Sequence, residues 1–135
     1  MTLEEYIRLP HRWQWGFSDC TLFTANWVVA ATGKDPGAEL RSTYLDAEGA
    51  AAILRASGGA ERLVGSKLGA LGFPRTNDPR DGDIGIVNAM SGFEAAGASV
   101  KEIPAIRFGP LWAVMSARGA MVKHLDWTGS AWRIA

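Results

Sequence analysis

Apolar and polar residues follow two different periods along this chain, and the change falls near residue 75. Before it, apolar positions recur at helical three-and-four spacing; after it, short β-type runs are separated by Gly and Pro. Thr2 and Glu5 form a capping box ahead of a short helix that Pro10 closes. The second helix carries the strongest signals: Ser18 or Asp19 caps it, Leu22, Phe23, Asn26, Trp27 and Ala30 keep helical spacing, and Gly33 ends it. Residues 46–56 and 60–70 read as two more helices parted by Ser57-Gly58-Gly59, with Gly49 and Gly65 as weak points inside them. The run from Thr76 to Asp83 reads as a turn, and Asp83–Asn88 as a strand that follows it. Further strands are predicted at 98–103, 111–116, 120–125 and 131–134, with breaks at Gly109-Pro110 and Arg118-Gly119. Helices first and strands afterwards predict an α+β domain in which a short antiparallel sheet packs against the helix that Cys20 heads.

Length and composition narrow the picture. The chain has 135 residues, 47% of them apolar, and no linker or repeat divides it, so residues 1–135 are expected to form one domain around one core. Fourteen Lys and Arg balance fourteen Asp and Glu, which leaves no basic face and argues against nucleic acid as a partner. No run approaches the roughly 18 apolar residues of a membrane span, and the acidic start MTLEEYIRLP is unlike a signal peptide. Synthesis in the cytoplasm is the expectation. Cys20 is the single cysteine and cannot close an internal disulfide.

Cys20 is also the first candidate for chemistry. At the start of a helix, unpaired N–H groups and the positive end of the helix dipole favour an anion, so a thiolate is expected to be stabilised there. The alternative is a buried, inert cysteine packed as a small hydrophobe. His11 and His124 are the two histidines, too few with Cys20 for a structural zinc site. The segment GAERLVGSK has the wrong spacing for a phosphate loop, and no G-x-S-x-G elbow is present. No metal or other cofactor is expected. Asp81 and Asp83 flank Gly82 as turn formers, and Asp83 is placed to cap or orient a neighbouring loop. Trp13 and Trp15 lie two apart, which in an extended segment puts both on one face, suited to a groove or to a partner protein.

The segment Trp13-Gln14-Trp15-Gly16-Phe17-Ser18-Asp19-Cys20-Thr21-Leu22-Phe23 resembles the nucleophile motif of NlpC-like, papain-fold cell-wall peptidases, in which W-G-x-x-D-C leads into a helix. Asp81-Gly82-Asp83-Ile84 resembles that family's Gly-Asp-aliphatic turn before the first core strand. With Gly33-Lys34-Asp35-Pro36 and the closing Ala131-Trp132-Arg133-Ile134, the order resembles a short, phage-associated branch of the superfamily over most of the chain. The resemblance implies a small papain-like fold and a tail-tip or baseplate component of a phage or phage-like particle. Its partners would be other tail-tip or baseplate proteins, with peptidoglycan as a further candidate, and its final location the virion.

Papain-type chemistry also needs a base and a group to orient it. By the resemblance, the base belongs at the strand that starts Leu111-Trp112-Ala113-Val114, where Trp112 stands, and His124, twelve residues on, fits the orienting position. Trp cannot accept a proton. Three readings follow: His124 is itself the base, His11 swings in from its loop, or the scaffold persists without hydrolysis. The site expected for an enzyme is thus Cys20 and His124, with Trp15, Asp19, Asp83 and Trp112 as groove or oxyanion support. The missing base favours a structural subunit; the preserved nucleophile segment favours a cysteine peptidase acting on peptidoglycan peptides.

Overall fold

The computed structural model describes residues 1–91 and 99–134. Four helices precede five strands: α1 (Leu3–Arg8), α2 (Cys20–Thr32), α3 (Ala47–Ser57), α4 (Ala60–Ala70), β1 (Ile84–Ser91), β2 (Ser99–Phe108), β3 (Leu111–Ser116), β4 (Gly119–Lys123) and β5 (Asp126–Trp132). The α+β order is as the sequence predicts. Residue 98, the first of the predicted second strand, lies outside the described residues.

Local chemistry accounts for the helix ends. Thr2 and Glu5 make the capping box of α1 reciprocally. Asp19 caps α2, accepting from the N–H groups of Thr21 and Leu22, and Gly33 closes it in the left-handed conformation at φ 79°. Six residues of α2 are buried, among them Leu22, Phe23, Trp27 and Val28, which makes it the central helix.

The strands form one antiparallel sheet in the order β4-β3-β2-β1-β5. β1 to β4 follow as a meander, and β5 returns to the free side of β1. The pleat then divides the residues of β3. Ala113 and Met115 join Phe23, Trp27 and Val28 in the core under the helices, whereas Trp112 and Val114 join Val87 and Ala105 in a separate cluster on the other face. Both sides of β3 are covered, which is why its four central residues are buried without alternation.

A buried polar hub ties the second half together. Asp83, 2% exposed, accepts from Arg133 Nε at 2.8 Å, from the Arg80 N–H at 2.9 Å and from the Ile134 N–H at 3.0 Å. Arg133 also donates to Thr76 Oγ1 and to the Asp78 carbonyl, so it pins the 76–83 turn against the chain's end. Trp27 Nε1 donates to the Gly82 carbonyl at 2.8 Å and fastens the same turn to α2.

Candidate functional site

The site is built around the start of α2. Asp19 is fully buried, and its carboxylate accepts four hydrogen bonds: Oδ1 from the N–H groups of Thr21 and Leu22, Oδ2 from the Gly16 N–H and from the Tyr44 phenol. Gly16 holds φ at 79° with its α-carbon pressed against the Tyr44 carbonyl, where a Cβ has no room. The Gly and Asp of the W-G-x-x-D-C segment thus shape and cap the helix entrance. Tyr44 is a site residue that the sequence does not single out; it lies 25 residues from Asp19 with no motif around it. Its phenol is kept protonated by burial and by the hydrogen bond that it donates to Asp19.

Cys20 occupies the first helical position, half-buried, with Thr21 Oγ1 at 4.0 Å from its sulfur. The expected thiolate is not what this environment favours. Burial first, and the neighbouring Asp19 carboxylate second, push the thiol up to about 11; the Thr21 hydroxyl and nearby N–H groups act in the opposite direction and are outweighed. The Leu22 N–H, which could add to that opposing effect, is engaged by Asp19. Alkylation of Cys20 by iodoacetamide at pH 7.5 is therefore expected to run on the order of a hundredfold slower than that of a free cysteine, with the rate climbing until about pH 11. The folded-state value lies above the unfolded one, so this group's stabilising contribution is complete below about pH 9 and is lost as the pH rises through about 11. A rate that levels off near neutrality would overturn the assignment of a neutral thiol.

The other candidates separate. Trp15 is half-buried, meets Trp13 edge-on at 4.9 Å, and packs on the cluster of Leu22, Leu40, Tyr44 and Leu63 beside the helix entrance. Trp15 and Asp19 are thus brought to the neighbourhood of Cys20. Asp83 is not: its turn is tied by the Gly82 carbonyl to the side chain of Trp27, seven residues along α2 from Cys20, and its own carboxylate is taken up by Arg80, Arg133 and Ile134. Its work is the link to Arg133, not support of a groove or an oxyanion.

Trp112 requires a second correction. It does not stand beside the thiol, because it lies on the sheet face away from the helices. There its ring lies over Gly85, where a Cβ would come within 2.5 Å, and stacks near Trp127 at 6.5 Å, with the Arg107 guanidinium above it at 4.7 Å. His124 follows the end of β4 in an exposed turn and makes no hydrogen bond or ion pair among the described residues. His11 is half-buried, with Nε2 at 2.6 Å from the Tyr6 carbonyl oxygen and its ring between Tyr6 and Phe23 at centroid distances of 4.9 and 5.0 Å. Thus no imidazole is among the hydrogen-bond partners of Cys20 within the described residues. The described residues also hold no cluster of His, Cys, Asp and Glu fit for a metal, and no helix long and apolar enough to cross a membrane.

These features define a small α+β domain with a capped, cysteine-headed central helix on a five-stranded antiparallel sheet. A family model described as a domain of unknown function, DUF6950, matches residues 2–134, and the chain belongs to that family. No curated protein and no solved structure matches it.

Proposed function

We propose that this chain is a tail-tip or baseplate subunit of a phage or phage-like particle, built on an NlpC-like papain-type scaffold that no longer hydrolyses. The observation that carries the non-hydrolytic half is the surroundings of Cys20: its sulfur has Thr21 Oγ1 at 4.0 Å, no imidazole is among its hydrogen-bond partners within the described residues, and burial with the neighbouring Asp19 carboxylate favours the neutral thiol. The segments behind the resemblance also have structural work that explains their presence without catalysis. Gly16 and Asp19 build the entrance of α2, and Asp83 and Arg133 join the turn before β1 to the chain's end. The tail assignment itself rests on the order of those segments along the sequence, and its partners are neighbouring tail proteins.

Purified peptidoglycan and cross-linked muropeptides, incubated with the protein and with Cys20→Ala and analysed by mass spectrometry, test this reading. Identical fragment profiles between pH 5 and 10 are expected. Fragments made by the unaltered protein and absent with Cys20→Ala would establish the cysteine peptidase instead. Mass spectrometry of purified particles from the source cell should find the chain among the tail proteins, and its absence from them would overturn the assembly half.

A further inference from the structure

The four helices are not held equally. α2 buries six residues and α4 buries four, but α3 buries none. Its apolar residues Ala50, Ile53 and Leu54 rest half-buried on the cluster of Leu22, Leu40, Tyr44 and Leu63, and Leu54 alone also touches the edge of the main core. Among the described residues, no side chain of α3 makes a hydrogen bond or ion pair to another element; Asp46 bonds only to the Gly49 N–H of the same helix. At its C-terminal end stand Gly58 and Gly59, both at positive φ, 85° and 109°. At its N-terminal end stands Leu45, 73% exposed. The residue before it, Tyr44, is fixed to Asp19, so the chain is anchored on one side of Leu45 and loosely attached on the other. An eleven-residue helix with an internal glycine has little stability of its own.

We infer that α3 is a lid that opens separately from the rest of the fold, pivoting between Leu45 and Gly58-Gly59, and that its opening uncovers the apolar floor of Leu40, Tyr44 and Leu63 next to the head of α2. This conformational device is independent of the tail assignment and of whether Cys20 reacts. Regions that open locally are those with few buried contacts and few polar ties, and hinges lie at a few element-terminal residues that absorb the backbone change. The floor stays in place when the lid leaves, because Tyr44 is held by Asp19 and Leu63 by α4.

Hydrogen–deuterium exchange of the full chain tests this, read by mass spectrometry on peptides from α2, α3 and α4. The α3 amides are expected to exchange at least about tenfold faster than those of α2 and α4. Val114→Ala removes packing from the core on the far face of the sheet, to which no α3 residue belongs. It should speed exchange in α2 and α4 by about tenfold and leave α3 unchanged, because lid opening does not disturb that core. Exchange of the unaltered protein in low urea supplies a second readout that does not depend on a variant: rates in α3 should stay flat while those in α2 and α4 climb. If α3 accelerates in step with α2 and α4 in either experiment, it belongs to the global folding unit and the lid is refuted.

Discussion

Asp83→Ala is expected to cost the domain about 3–5 kcal/mol. The carboxylate is buried and satisfies three donors at once: the Arg133 guanidinium and the N–H groups of Arg80 and Ile134. Removing it leaves the buried Ile134 N–H without an acceptor and the guanidinium without its counter-charge, and a stranded buried donor alone carries a penalty of about 1–3 kcal/mol. Arg133 is 28% exposed on its side chain, so water recovers part of the guanidinium's loss and the figure belongs nearer the lower limit. Against a usual total of about 5–15 kcal/mol, that is a large fraction, and the thermal midpoint should fall by about 10 °C or more. Urea unfolding with a double-mutant cycle of Asp83→Asn and Arg133→Gln separates the pair's coupling from the backbone bonds. Asp83→Ala with an unchanged midpoint would remove the hub from the account of this fold. The effect should appear in stability alone, since the Asp83 carboxylate bonds to Arg80, Arg133 and Ile134 and not to Cys20.

Much of this architecture is legible in the amino-acid sequence. The Thr2–Glu5 box, the Asp19 cap, the Gly33 terminus and the Ser57-Gly58-Gly59 break are local signals, and each element they bound forms within a residue of its predicted place. The strand at 111–116 forms with the bounds predicted for it, between the turns at Gly109-Pro110 and Ala117-Arg118. The last strand differs more. It runs from Asp126 to Trp132, where the pattern predicts 131–134, and the fourth strand stops at Lys123. Asp126, Thr128 and Gly129 are polar or flexible, so that stretch lacks an apolar period; its pairing is imposed by β1, with a register shift between Gly85 and Val87.

The site is less legible, for a physical reason that differs from residue to residue. A helix start favours an anion only where burial and neighbouring charge do not outweigh it, and the sequence shows neither how deeply the Cys20 sulfur is buried nor how close the Asp19 carboxylate lies to it. The Asp83–Arg133 link spans 50 residues and leaves no periodic trace. Strand β3 is covered on both faces, so its pattern carries no information about which of Trp112 and Ala113 faces the helices.

That last ambiguity sets up the second large effect. Trp112→Ala should destabilise the domain by about 3–5 kcal/mol, because the indole is 1% exposed and fills the space over Gly85. Arg107 would lose the ring beneath its guanidinium, and Trp127 its stacking partner. The informative comparison is with Cys20. If Trp112 filled the place of a missing base, truncating it would open space beside the sulfur, and Trp112→His would lower the pH at which the thiol reacts. With the indole on the far face of the sheet, both variants should lose stability in urea unfolding yet keep the alkylation profile of Cys20 unchanged, with its midpoint near 11. Ala113 and Met115 are the β3 residues that pack in the core under the helices, so the helix side of this strand offers no imidazole, and Trp112 belongs to the packing of the opposite face. A shift in the Cys20 profile on changing Trp112 would reverse that assignment and return the indole to the thiol's side.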